Sequence, residues 1–173
     1  TDIAILSLND IVSSASVRIA GNVFDQDIIK YIREKYKLLI GERTAEDIKI
    51  NFANIFDPNK KEKLEVRGRN LITGLPQEIE ITQDETKEAL AESLDKIIKA
   101  TTNVLEQTPP ELAGDIVEKG IVLTGGGAML KGLPELLEKE LKVPILIAES
   151  PLTCVAEGTG TLLDNISLLE EDQ

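Results

Sequence analysis

Three consecutive glycines, Gly125, Gly126 and Gly127, lie between the apolar run Gly120-Ile121-Val122-Leu123 and a segment with a helical pattern. A glycine triplet loses more chain entropy on folding than almost any other tripeptide, so it suits a place where backbone must pass close to something. A strand, a glycine turn and a helix in that order also leave free N–H groups at a helix start, which fit a phosphate or a nucleotide. No Gly-Lys-Ser/Thr follows, so this is not a Walker loop. Nor are the glycines spaced as in the dinucleotide fingerprint. A purine or ribose lying on bare backbone fits as well as a phosphate, and the same order of residues also describes a tight turn without a ligand.

The other candidates are weaker. Glu46 and Lys49 stand three residues apart on a helical segment, opposite its apolar stripe. As acceptor and donor they could reach a ribose hydroxyl and an adenine edge, or they could simply form a solvated ion pair. Thr1-Asp2 could belong to a phosphate loop. Cys154 has no histidine to activate it and reads as a packed thiol. Many carboxylates are present, but no spaced catalytic pair stands out.

The elements around these residues follow from periodicity and punctuation. Residues 3–8 and 11–19, joined at Asn9-Asp10, read as an antiparallel hairpin. Asp25 is placed to cap a helix to about Ile40, with Ile28, Ile32, Tyr36 and Leu39 on its buried stripe and Gly41 ending it. Thr44 then caps a second helix, on which Ala45, Ile48, Phe52 and Ile55 share a face. After a polar loop, residues 63–72 and 75–82 alternate apolar with charged as a second hairpin, with Ile79 and Ile81 inward. Thr82-Gln83-Asp84-Glu85 has capping-box spacing and opens a helix to about Leu105 carrying Leu90, Leu94, Ile97 and Ile98 inward. Pro109-Pro110 stops it. A short helix precedes the glycine strand, and helix 133–141, strand 144–148 and a last helix from Ser150-Pro151 to about Leu169 complete the chain. The first strand opens without a preceding cap, so the sequence reads as a piece of a larger protein. A mixed sheet flanked by helices, with a small appended lobe near residues 49–81, is the expected architecture.

Composition excludes several functions. The 173 residues are 42% hydrophobic and 29% charged, enough to build a core of Ile, Leu, Val and Ala, since aromatics make up only 3%. Without histidine, zinc hydrolases and the usual serine or cysteine triads are excluded. The single cysteine cannot form an internal disulfide, which fits a reducing cytosol. No signal-peptide pattern opens the chain, and no apolar run approaches the roughly 20 residues that span a bilayer. The net charge is −12, and residues 71–173 hold 20 acidic against 7 basic groups. That half would repel a nucleic-acid backbone or an anionic lipid surface.

Taken in order, several segments resemble the second large domain of the MreB/Mbl family of bacterial actin homologues. They are Thr1-Asp2-Ile3-Ala4, Ser16-Val17-Arg18-Ile19-Ala20-Gly21, Leu39-Ile40-Gly41-Glu42-Arg43-Thr44-Ala45-Glu46 and Val66-Arg67-Gly68-Arg69-Asn70-Leu71. Pro109-Pro110-Glu111-Leu112-Ala113, Leu123-Thr124-Gly125-Gly126-Gly127-Ala128 and Pro151-Leu152-Thr153-Cys154-Val155-Ala156 continue the match. The resemblance implies an α/β, actin-like ATPase domain with a ribonuclease H-like mixed sheet. Its core subdomain (IIA) would comprise residues 1–44 and 83–173, with a small α+β subdomain (IIB) inserted at 45–82. It implies ATP with magnesium in the full-length protein, with Gly125, Gly126, Gly127 and Ala128 along the adenosine. Glu46 and Lys49 would then lie on the helix over adenine and ribose, and Thr1-Asp2 at the end of a second phosphate loop whose glycines precede Thr1. A first domain would carry the first phosphate loop, the residues that position water and the membrane-inserting segment. Homopolymer filaments, cell-wall elongation partners and a cytoplasmic, membrane-associated location follow by the same resemblance, and the isolated chain is expected to be inactive. A sugar kinase or chaperone-type ATPase of the same superfamily shares the strand–glycine–helix signature. The acidic end Glu170-Glu171-Asp172, soon after the last helix, argues against the chaperone. A partner-binding module without nucleotide is a third reading.

Overall fold

The computed structural model describes residues 1–8, 10–59 and 61–164. Its strands lie in three ladders. β1 (Asp2–Ser7) pairs antiparallel with β2 (Asp10–Ser16), with a register shift between Ile5 and Leu6. The expected hairpin is therefore present, with Leu8 fully exposed at its tip, while the expected turn residue Asn9 lies outside the described residues. β2 stops at Ser16 rather than at residue 19, although Val17 and Ile19 still pack against the core.

α1 (Gly21–Tyr36) departs from expectation at both ends. It starts four residues before Asp25, which lies buried inside the first turns instead of capping them. It ends at Tyr36 because Lys37 turns left-handed (φ 53°) and donates its N–H to the Arg33 carbonyl. Leu38 and Leu39 then form β3 (Leu38–Leu39), paired with Asn70 and Arg69. Gly68 makes the approach possible, because a Cβ there would collide with the Leu39 carbonyl oxygen. Gly41 consequently opens α2 (Glu42–Asn51) rather than closing α1, and Thr44 falls inside that helix. Glu42 occupies its first turn, where the helix dipole favours an acid.

β4 (Lys63–Asn70) and β5 (Pro76–Thr82) form the expected hairpin around Thr73-Gly74, with Ile79 and Ile81 buried opposite Val66 and Leu64. At Thr82 the backbone N–H donates to the Glu85 carboxylate at 2.7 Å, which completes the capping box of α3 (Gln83–Glu106). Leu90, Leu94 and Ile97 of α3 meet Phe24, Ile28 and Ile32 of α1 and Ala45 and Ile48 of α2 in one apolar cluster. Burying each large side chain contributes about 1.5–3 kcal/mol before entropy. The surface pairs Lys96–Glu92 and Lys99–Asp95 lie on the outer face as their i,i+4 spacing requires.

A polar clasp closes the α1–α3 seam. Tyr36 donates to Glu85 and Tyr31 to Glu88, each at 2.5 Å, and the Lys35 ammonium sits 2.9 Å from Glu85. Burial, then the Glu85 hydrogen bond, pushes the Tyr36 hydroxyl up to about 12. Burial alone would raise the Glu85 carboxyl, but the donors Tyr36, Lys35 and Thr82 outweigh it and hold that group below its ordinary range.

α4 (Pro110–Lys119) leads into β6 (Ile121–Leu123), and α5 (Leu133–Leu141) crosses back to β7 (Ile145–Ile147), parallel to β6. A crossover helix is what a parallel pair requires. α6 (Cys154–Asp164) follows, and the expected continuation to Leu169 falls outside the described residues.

Candidate functional site

The glycine turn is pinned from one side and open on the other. After β6, Gly125 takes a positive φ of 81° and donates its N–H to the Pro151 carbonyl at 2.6 Å, while Thr124 Oγ1 donates to the same oxygen at 3.2 Å. The backbone then winds into a short 3-10 helix, Gly126–Met129, rather than directly into an α-helix, and its own bonds begin with the Ala128 N–H. A Cβ on Gly127 would meet nothing within 4 Å, and one on Gly126 would meet only Leu152 at 3.6 Å. Both residues are exposed, so the turn presents bare backbone on which a flat base or sugar could rest. Ala128 is buried at 4% exposure and its N–H is donated to the Gly125 carbonyl at 3.2 Å, so it offers a ligand far less surface than Gly126 and Gly127.

Glu46 and Lys49 do not form the ion pair that their spacing allows. Lys49 is half-buried rather than on a solvated outer face. Its ammonium lies 2.8 Å from Asp25 Oδ1, donates to Oδ2 at 3.0 Å, and donates to the Gly21 carbonyl at 3.2 Å. The Oδ1 contact is ionic and lies outside hydrogen-bonding geometry. The Glu46 side chain is exposed and makes no hydrogen bond or ion pair among the described residues. At the other end of α1's lead-in, Thr1 Oγ1 donates to the Ile19 carbonyl at 2.5 Å and the Thr1 carbonyl accepts from Val17 at 2.9 Å. Thr1 and Lys49 therefore converge on the segment Ile19-Ala20-Gly21 that starts α1.

The segment that follows the glycine turn meets the loop after α2. Ile55 donates to the Lys131 carbonyl at 3.1 Å, and Gly132 abuts Phe56 and Asn54. No hydrogen bond or ion pair connects Gly125–Gly127 with Glu46, Lys49 or Thr1 among the described residues. Sequence reasoning took Asp25 for a helix cap and missed its pairing with Lys49, although its register with the buried Ile28 and Ile32 marked an acid that needs a partner in the core. The Pro151 carbonyl left no side-chain signal at all.

A cavity of about 650 Å³ lies elsewhere, between β1, β6 and the helices α3 and α4. Its wall is mainly apolar (Ile3, Ile5, Leu105, Ile116) and includes none of the candidate nucleotide residues. Among the described residues, no group of three or more acidic or cysteine side chains could hold a metal ion. No helix among them is long and apolar enough to cross a membrane.

Antiparallel ladders, a parallel pair with its crossover helix and a glycine turn after the first parallel strand define the actin-type α/β fold. The structure matches MreB5 of Spiroplasma citri bound to AMPPNP with a TM-score of 0.90 and 39% identity, covering 99% of this chain and 51% of that one. The chain belongs to the MreB/Mbl protein family, whose pattern it matches over residues 1–171. It is 53% identical to the cell shape-determining protein Mbl of Bacillus subtilis (strain 168), over 98% of this chain and 51% of that protein. It is 49% identical to the cell shape-determining protein MreB of Escherichia coli (strain K12), over 97% of this chain and 48% of that protein. The chain thus spans about half the length of the curated relatives it matches.

Proposed function

We propose that this chain is the second large domain of a bacterial actin-like cytoskeletal protein. In the two-domain protein, ATP binds between the domains, the protein polymerises into filaments, and the filaments direct cell shape and cell-wall synthesis. The observation that carries this reading is the likeness, over 99% of the chain, to an MreB bound to AMPPNP. The cell shape-determining role named for the Mbl and MreB relatives supports the cellular part.

Within the site, Gly125, Gly126, Gly127 and the backbone of Ala128 lie along the adenosine. Glu46 accepts from ribose hydroxyls, Lys49 borders the adenine, and Thr1 ends the second phosphate loop. The exposed Gly126-Gly127 backbone and the unpaired Glu46 support these roles. Residues 45–82 form the small subdomain and residues 1–44 with 83–173 the core subdomain; β3 extends the small lobe's sheet from the core side. Magnesium accompanies ATP in the two-domain protein, whose first domain carries the first phosphate loop. That domain also supplies the residues that position water and the membrane contact, so this chain alone hydrolyses no ATP. Partners are further copies of the same protein and the cell-wall elongation machinery, in the cytoplasm along the membrane.

Sedimentation with ATP and magnesium, comparing this chain with the two-domain protein, tests the proposal. ATP-dependent pelleting of the two-domain protein alone is the expected result.

A further inference from the structure

We propose that Asp25 is a positioning residue of the nucleotide site: by holding Lys49 at the head of α1, it keeps the Glu46 carboxylate free to accept ribose hydroxyls. The proposal rests on the nucleotide reading given above. Glu46 and Lys49 are three residues apart on α2, a spacing at which opposite charges on a helix meet. Left to themselves, the two would pair and close the acceptor. Asp25 prevents this. Its carboxylate, 8% exposed, faces the Lys49 ammonium with both oxygens at 2.8 and 3.0 Å, and the Gly21 carbonyl takes a second N–H at 3.2 Å.

Stability alone does not account for these charges. A buried ion pair is often replaceable by apolar side chains at no loss, so α1 and α2 could be joined as well by a hydrophobic contact. What the pair does, and an apolar contact would not, is fix where one ammonium points. Two of its three N–H groups are committed, and the third has no acceptor among the described residues. The seat is also shaped for it: a Cβ on Gly21 would lie 3.3 Å from the Lys49 nitrogen.

The test compares binding of ATP and 2′,3′-dideoxy-ATP to the two-domain protein by calorimetry. A hydrogen bond to a carboxylate is worth roughly ten- to a hundredfold in affinity, so the unaltered protein is expected to prefer ATP by at least about tenfold. Asp25→Asn releases Lys49 to Glu46, and the preference falls to about one. Asp25→Asn combined with Lys49→Met removes the competitor and restores the preference, a rescue that a purely structural role does not produce. Should Asp25→Asn fail to fold, Asp25→Ser, which also removes the carboxylate that holds Lys49, is read in its place and also lowers the ratio. Absence of any adenine-nucleotide binding by the unaltered protein would overturn the nucleotide reading and this proposal with it. Binding without a ribose preference would overturn the ribose role of Glu46 and this proposal with it, while a preference untouched by Asp25→Asn or Asp25→Ser would overturn this proposal alone. A double variant that stays at a ratio of one would overturn it too.

Discussion

Gly132 and Gly126 both follow β6, yet their surroundings are opposite, one tightly packed and the other open. Gly132 has φ +87°, and a Cβ there would lie 2.7 Å from the Phe56 nitrogen and 2.9 Å from Asn54 Oδ1. Gly132→Ala therefore incurs about 1 kcal/mol or more for the left-handed backbone and about 1–3 kcal/mol for overpacking against main chain that cannot step aside. The total is about 2–4 kcal/mol. Gly126→Val meets only the flexible end of Leu152, at 3.6 Å, on an exposed turn without positive φ, and should cost under about 1 kcal/mol. With a urea m-value of about 2 kcal/mol/M, Gly132→Ala lowers the unfolding midpoint by about 1–2 M and Gly126→Val by less than about 0.5 M. Far-UV circular dichroism of the 173-residue chain reads both. With the adenosine on Gly126 as proposed, the order is expected to reverse for nucleotide binding by the two-domain protein, because a branched side chain there would stand in its way. Equal midpoint shifts would refute the division of the glycines into structural and ligand-facing. Full nucleotide affinity with Val at position 126 would refute the placement of the adenosine.

The α1–α3 clasp makes stability depend on pH at both ends. Glu85 titrates below its ordinary value of 4.5 in the folded chain, so its contribution is complete above that value and is lost as pH falls through the lowered one. Tyr36, raised from 10.0 to about 12, loses its contribution as pH climbs between those values. Tyr36→Phe should flatten both flanks of a plot of thermal midpoint against pH, and unchanged flanks would exclude the clasp as their source. Lys37→Gly relieves the left-handed turn after α1 and should raise the urea midpoint by the equivalent of about 0.5–1 kcal/mol. A lowered midpoint would mean that the Lys37 side chain, which donates to the Glu34 carbonyl, matters more than its backbone.

Local signals carried most of the fold. Alternation across 63–72 and 75–82 and the capping box at Thr82 and Glu85 were readable because the forces that form them act between near neighbours. The end of α1 was not. Leu39 continues the apolar spacing of Ile28, Ile32 and Tyr36, so a helical pattern runs straight through a segment that Arg69 and Asn70, some 30 residues on, draw into a ladder. Asp25 misled for a related reason: an acid near a helix start resembles a cap until its buried partner Lys49 is known. In the site, the glycine turn was legible from composition. Its fastening to the Pro151 carbonyl was not, because a backbone acceptor leaves no trace in residue type.

The central claim is that this chain supplies one wall of an ATP site in a filament-forming protein. Its most direct test is sedimentation of the two-domain protein with magnesium and either ATP or no nucleotide, alongside Gly126→Val. ATP-dependent pelleting that the substitution abolishes is the predicted result. A two-domain protein that stays in the supernatant with ATP, or a Gly126→Val variant that pellets as fully as the unaltered protein, would contradict the account.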